Sequence, residues 1–173
     1  VWWLRQGADG FRIDHMMDDL DNRGRLPGLV AGFWAPLFAP AREARPTMSV
    51  VAEQADWKFG EDLQRDGDVD LVYAFPLQHA LVSLDRDQIA DAIATTQART
   101  APGKGQLVFI ENHDTNRFAS MVDGEAARLR IGAALCVLLK GTPLIYYGQE
   151  LGMRGRRSGT GLSDGNDIPD REA

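Results

Sequence analysis

Cysteine is nearly absent from the 173 residues: Cys136 is the only one, which excludes a disulfide framework within one chain. It lies in Ile131-Gly132-Ala133-Ala134-Leu135-Cys136-Val137-Leu138-Leu139, where it reads as a small buried apolar residue. That run is cut short by Lys140-Gly141-Thr142-Pro143, well under the roughly 20 apolar residues of a membrane-spanning helix, so it reads as a core helix. A basic stripe is missing too. The 19 Lys and Arg are scattered among 25 Asp and Glu, for a net charge of −6. With no basic stripe, the expected partners exclude nucleic acid and anionic membranes, and a neutral or cationic ligand fits better. Histidine is scarce, three in all, and none shows the paired spacing of a zinc site. Internal repeats and low-complexity segments are also lacking.

What is present is ample core material, 44% hydrophobic residues, enough for one ordinary domain. Helix and strand signals alternate along the chain. The end of a helix over residues 1–6 leads through Gly7-Ala8-Asp9-Gly10 into a strand over 10–14. A helix is expected over 29–45, a Val-rich strand over 48–53, and a third strand over 69–75 stopped by Pro76. One long amphipathic helix over 77–98 follows, then a strand over 106–112, a helix over 125–140 and a fifth strand over 144–147. The strands are apolar runs more than strict alternations, the pattern of a parallel sheet covered by helices. Five strands suit either an open doubly wound sheet or part of a barrel. Val1-Trp2-Trp3-Leu4 looks like the interior of a helix and the far end is as abrupt, so the chain is expected to be a fragment, and its compartment is not read from it.

Acids stand at the ends of three of these strands: Asp14, Glu53 and Asp114. In a parallel barrel the C-terminal strand ends converge on one mouth, so acids far apart in sequence can meet there. Arg12 and Asp14 are two apart and share a face. The guanidinium would hold Asp14 ionised, as suits a nucleophile or an electrostatic stabiliser, and the competing reading is a structural salt bridge. Glu53 leaves an apolar strand at its polar end. Partial burial would keep it protonated for general acid work, although alone it reads as an ordinary strand-end carboxylate. Glu111-Asn112-His113-Asp114 follows the apolar stretch 107–110, and burying such groups is costly unless they are partnered or functional. A histidine beside an aspartate suits sugar hydroxyls; metal ligation by Glu111, His113 and Asp114 is the alternative. Trp57 could stack on a sugar ring, and Tyr73 or Phe75 could line a pocket or simply pack. Asp164, Asn166, Asp167 and Asp170 lack the spacing of a calcium loop and read as a solvated loop.

Four segments, in order, carry a family resemblance. Asp9-Gly10-Phe11-Arg12-Ile13-Asp14, the Glu53 strand, Phe109-Ile110-Glu111-Asn112-His113-Asp114 and Gly141-Thr142-Pro143-Leu144-Ile145-Tyr146-Tyr147-Gly148-Gln149-Glu150 resemble the motifs of strands 4, 5, 7 and 8 of the alpha-amylase family, glycoside hydrolase family 13. The resemblance implies the C-terminal portion of a (β/α)8 barrel over residues 1–173, a single partial catalytic domain of about five parallel strands with strands 1–3 missing. It implies a retaining glycosidase acting on the α-glucosidic bonds of starch-type glucans or maltooligosaccharides. Asp14 would be the nucleophile, Glu53 the general acid/base and Asp114 the third acid that holds sugar hydroxyls, with Arg12 orienting Asp14 and keeping it ionised and His113 hydrogen-bonding the sugar; Trp57, read from its place four residues past Glu53, joins Arg12 and His113 as an expected substrate-binding residue. Glu53 would protonate the leaving oxygen, Asp14 would form a glycosyl-enzyme, and Glu53 would then activate water or an acceptor sugar. A transglycosylase, or a non-catalytic binding homologue, are the alternatives.

The chemistry is expected to need no cofactor and no metal at the site, with room for a structural calcium in a longer protein. Where the family commonly shows a Lys-His pair after its nucleophile, this sequence has Met17-Asp18, which leaves acceptor contacts open; a backbone calcium ligand at Asp18 would need partners outside this chain. Part of the glucose pocket belongs to the family's strand 3. The 173 residues alone are therefore expected to be inactive or unstable, since part of a barrel leaves two open sheet edges and an uncovered apolar interior, and turnover of starch or an aryl glucoside by this chain would overturn that expectation.

Overall fold

The computed structural model describes residues 1–16, 28–54 and 58–156, and every structural statement below concerns these. Five strands run β1 (Gly10–Met16), β2 (Ser49–Gln54), β3 (Leu71–Tyr73), β4 (Gly105–Val108) and β5 (Thr142–Pro143), adjacent in the sheet in chain order. Three pairings, β1 with β2, β2 with β3 and β3 with β4, are parallel. By contacts the chain divides into two compact units, one of Val1–Pro76 with Ala94–Leu107, the other of Leu77–Ile93 with the chain from Val108 onward.

In the first unit the strands are covered by α1 (Trp2–Arg5), α2 (Ala35–Ala44) and α3 (Glu61–Asp66), with a π-helical turn at Val30–Trp34 leading into α2. The expected helix over 29–45 is thus present but in two geometries. Val50, Ala52 and Val72 have no exposed surface, and with Met48, Leu63, Phe38 and Leu4 they form the core. Burial of a side chain such as Val50 contributes roughly 1.5–3 kcal/mol. That β2 is shielded on both faces explains its run of apolar residues in place of alternation. Gly10 pairs with Ser49, and a Cβ at Gly10 would collide with the Ser49 carbonyl, so the register of β1 against β2 requires glycine there.

A charged clamp ties the N-terminal ends of these strands together. Arg42 of α2 donates from Nε to Asp68 Oδ2 at 2.8 Å, from Nη2 to Asp70 Oδ2 at 2.7 Å and from Nη1 to the Met48 carbonyl at 2.7 Å. Asp70, just before β3, also accepts from the Val50 amide at 2.8 Å and from Lys104 Nζ at 3.2 Å. Burial pushes the Asp70 carboxyl up, but the Val50 amide, Arg42 and Lys104 outweigh it and hold it below the ordinary aspartate value. Burial also pulls Arg42 down, and its two aspartates more than reverse that.

The second unit departs from the expected element boundaries. The single helix over 77–98 is two helices, α4 (Phe75–Ser83) and α5 (Arg86–Ala98). Leu84 takes a left-handed φ of 56° between them, and Asp85 Oδ1 caps α5 by accepting from the amides of Asp87 and Gln88 at 3.0 and 2.9 Å. Such a cap satisfies first-turn amides that a helix leaves unpaired. The third strand, expected over 69–75, is only Leu71–Tyr73: α4 already begins at Phe75, and Pro76 sits in its first turn, where its missing N–H costs nothing, so the proline marks a helix start and not a strand stop. The other two helices are α6 (Phe118–Met121) and α7 (Ala126–Leu138). Strand β4 ends at Val108 and not at residue 112, and β5 is confined to 142–143, with Leu144 donating to the Val108 carbonyl at 2.9 Å. Cys136 is buried on α7, its thiol 3.3 Å from the Val108 carbonyl, as a core residue.

Replacing Asp70 by Asn removes the charge that Arg42 and Lys104 hold. Urea denaturation at neutral pH should show a loss of about 2 kcal/mol, the scale of hydrogen bonds to charged groups. A depressed carboxyl stabilises above its unfolded value and loses that contribution as pH falls through its folded value. The difference between wild type and Asp70→Asn should therefore shrink in acid, below the ordinary aspartate range.

Candidate active site

In the first unit the opposite strand ends carry the candidate catalytic residues. Arg12 on β1 reaches across to Glu53, the penultimate residue of β2, with Nη2 2.8 Å from Glu53 Oε2. Its other terminal nitrogen, Nη1, is paired with Asp14 Oδ1. One guanidinium therefore bridges both carboxylates, in an environment graded from the buried Glu53 side chain, 8% exposed, through Arg12 at 32% to Asp14 at 72%. The Arg12 guanidinium lies 5.8 Å from the centre of the Tyr73 ring on β3. Burial pulls the Arg12 pKa down, but the Asp14 hydrogen bond and the Glu53 charge outweigh it and the net shift is upward, so Arg12 stays a cation. Glu53 is buried as its strand position suggested. Burial favours a neutral carboxyl while a guanidinium contact favours an ionised one, so the two influences oppose each other there.

Between these residues β1 is not a regular strand. Ile13 pairs with Ala52 and Met16 with Gln54, so β1 spends three residues where β2 spends two. The extra residue makes a β-bulge, a device found beside active sites because it re-aims backbone groups. His15 takes a left-handed φ of 49°, and its N–H donates to Glu53 Oε2 at 3.2 Å. The sequence held a sign of this that periodicity alone did not register: buried or half-buried apolar residues fall at 11, 13 and 16, not 15. Gln54 is a second residue missed. Its Nε2 donates to the carbonyls of Tyr73 and Lys58, each at 2.6 Å, which fastens the chain on either side of the residues after β2.

In the second unit the Glu111-Asn112-His113-Asp114 segment separates into two roles. Glu111 is 1% exposed and bound by Arg117, Nη1 to Oε1 at 2.9 Å, while Glu111 Oε2 accepts from the Phe118 amide at the start of α6. Arg117 is itself buried, lies 4.2 and 4.6 Å from the ring centres of Tyr146 and Tyr147, and donates to the Tyr147 carbonyl at 2.6 Å. This is a structural ion pair with cation–π support. Asn112 Oδ1 accepts from the Asp114 amide at 3.0 Å and the Asn112 amide donates to Thr115 Oγ1 at 2.9 Å, which folds 112–115 into a turn. The turn leaves His113 and Asp114 partly exposed, with His113 Nε2 3.1 Å from Asp114 Oδ2.

The structure thus brings Arg12, Asp14 and Glu53 together in one unit and pairs His113 with Asp114 in the other. Tyr73 stays beside Arg12, whereas Phe75 is fully buried and stacked on Tyr73 at 5.8 Å, a packing residue. Trp57, Met17, Asp18, Asp164, Asn166, Asp167 and Asp170 lie outside the described residues. Among the described residues no group of three or more His, Cys, Asp or Glu is placed to hold a metal ion, and no helix is long and apolar enough to cross a membrane.

The family model described as the alpha amylase catalytic domain matches residues 47–172. The chain belongs to the alpha-amylase family. Glu53, His113 and Asp114 fall within the matched residues and Asp14 precedes them. Among curated relatives of this alpha-amylase-family chain is a cyclomaltodextrinase from Thermoanaerobacter pseudethanolicus, 25% identical over 163 residues, covering 89% of this chain and 26% of that protein. A cyclomaltodextrin glucanotransferase from Geobacillus stearothermophilus is 31% identical over 173 residues, covering 88% of this chain and 21% of that protein. The alpha-amylase from H. orenii superimposes with a TM-score of 0.76 at 24% identity, over 90% of this chain and 33% of its own. The fold is that of the alpha-amylase barrel, of which this chain supplies five parallel strands with their helices. The chain spans about a quarter of the length of these curated relatives.

Glu111→Ala would leave Arg117 charged and unpaired in the interior. It should cost about 3–5 kcal/mol in a denaturation experiment, whereas Asp114→Ala, on the partly exposed turn, should cost far less.

Proposed function

We propose that the chain supplies the catalytic acids of an α-glucan-active retaining enzyme. The observation that carries this reading is Arg12 gripping Asp14 and Glu53 with its two terminal nitrogens. A single guanidinium spans two carboxylates only when they lie close together. The retaining course, in which such a pair stands about 5 Å apart and one carboxylate acts as nucleophile, is the one that the family resemblance implies. Their unequal exposure suits unequal roles. Asp14, open to solvent and held by the cation, attacks the anomeric carbon; Glu53, buried, gives its proton to the leaving oxygen as that bond breaks. In the second half Glu53 takes a proton from the incoming hydroxyl, which attacks the anomeric carbon and releases Asp14. Arg12 keeps Asp14 ionised and poised for attack. Asp114 and His113 are assigned to the sugar hydroxyls, and Trp57 to stacking on a ring.

The substrate class is read from the family and from relatives named for cyclomaltodextrins, so starch-type glucans or maltooligosaccharides are the proposed substrates. Proton and nucleophile both come from carboxylates, and the chemistry needs no cofactor; a calcium ion would serve structure alone. Hydrolysis is the first reading. The glucanotransferase relative, at 31% identity, favours a second in which a sugar hydroxyl replaces water using the same residues.

Both readings require the acids. In the polypeptide carrying this chain, Glu53→Gln should lower kcat on maltooligosaccharides by about 10²–10⁴-fold, the range of a general acid/base, and Asp14→Asn by at least as much. Unchanged turnover in either would overturn the assignment of that residue, and absence of turnover in the unsubstituted polypeptide would leave a binding protein. Product analysis separates the two readings: glucose and maltose accumulate in hydrolysis, longer chains in transfer.

A further inference from the structure

We propose that His15 is a positioning residue for the general acid/base: the bulge at Asp14 and His15 turns the His15 N–H onto Glu53 Oε2, so that the catalytic proton travels through Glu53 Oε1. The inference rests on the acid/base role given to Glu53 above. Its first support is convergence. Arg12 Nη2 at 2.8 Å and the His15 amide at 3.2 Å both donate to the same oxygen, Glu53 Oε2. An oxygen facing two N–H donors is an acceptor, and a hydrogen placed on it would point at hydrogens. When Glu53 is protonated, its hydrogen therefore belongs on Oε1. Which oxygen meets the glycosidic bond is then set by the protein and not by free rotation of the carboxyl.

The second support is the backbone. In a regular parallel strand each N–H lies in the plane of the sheet, committed to the ladder or to its edge. The extra residue of β1 and the φ of 49° at His15 break that direction. Left-handed backbone is uncommon outside glycine; asparagine, aspartate and histidine adopt it most readily, and β-branched residues scarcely at all. A conformation of this kind persists where the surroundings hold it and marks places where geometry serves function. Among the described residues, the charged and titratable groups at Glu53 include Arg12, which also holds Asp14 and lies beside Tyr73, and the imidazole of His15 itself, so the His15 amide is one donor among ionic neighbours, distinguished by being fixed in the main chain.

The test is a pH titration followed by NMR on the polypeptide that carries this chain, reading the Glu53 side-chain carboxyl and the His15 amide together. The His15 amide proton should shift with the same midpoint as Glu53, and the response should vanish in Glu53→Gln. His15→Gly and His15→Asn, both compatible with a positive φ, should leave the Glu53 midpoint in place. His15→Val, which cannot keep the bulge, should raise it by about one unit, the size expected for one lost hydrogen bond to the ionised form. In a turnover assay the alkaline limb of kcat/KM should move up by the same amount. A His15 amide that ignores the Glu53 titration, or a His15→Val midpoint equal to that of His15→Gly, overturns the proposal. If His15→Val does not fold, the wild-type amide decides alone. That readout needs no substrate, so it separates loss of the contact from loss of the glycosidase reading, which would appear as full turnover by Glu53→Gln.

Discussion

The pairing of β1 with β2 is the constraint from which the first unit follows. Gly10 lies against Ser49 with no room for a side chain, and from there the register runs Phe11 to Val50, Arg12 to Val51 and Ile13 to Ala52. Because a strand's side chains alternate, this register puts Arg12 on a face from which it reaches both Asp14 and Glu53. A slip of one residue would send Arg12 and Asp14 to the other face. The same pairing shields Val50 and Ala52 completely. Burying β2 is thus the energetic reason the register holds, and the site geometry is carried along with it.

Charge is used differently at the two ends of the strands. At the N-terminal ends, Asp70 collects Arg42, Lys104 and the Val50 amide, a cluster that joins α2, β2, β3 and the approach to β4. Its groups find their partners within the protein, and the result is stability. At the C-terminal ends, Arg12 is shared between a buried carboxylate and an exposed one, an arrangement that leaves Asp14 open to solvent. This division is the one expected of parallel barrels, where one rim serves stability and the other serves chemistry. In the second unit the same contrast occurs within four residues: Glu111 is consumed by Arg117 and the start of α6, while the turn at 112–115 carries His113 and Asp114 outward.

Much of this was legible in the sequence because apolar runs bounded by polar loops mark buried parallel strands reliably. The Arg12 and Asp14 pairing followed from spacing, and the acid at the end of β2 from the Val-rich run before it. What was misread has local causes. Pro76 looked like a strand stop, yet it is favourable in the first turn of α4. The helix over 77–98 kept its apolar side across Leu84, and only Asp85, a capping residue, betrayed the break. The strand over 106–112 was drawn too long because buried residues continue to Asn112, past the last ladder pairing at Val108. Apolarity reports burial and not hydrogen bonding, so it could not locate that end. Glu111 read as one of four polar groups awaiting a role, because its partner Arg117 lies beyond the turn.

The bulge at His15 shows how a departure from regularity can be the informative feature. An unbroken β1 would bury position 15 where Met16 now sits, fully enclosed, and would leave Glu53 held by Arg12 without the His15 amide. A guanidinium alone fixes charge but leaves the carboxyl free to turn about its own axis, since either oxygen satisfies a cation. A second donor from the main chain removes that freedom, because the backbone cannot follow the rotation. Two donors on one oxygen give the two oxygen positions of the Glu53 carboxyl different surroundings. In this chain the distinction is built from one extra residue, one positive φ and an arginine already committed to the neighbouring aspartate.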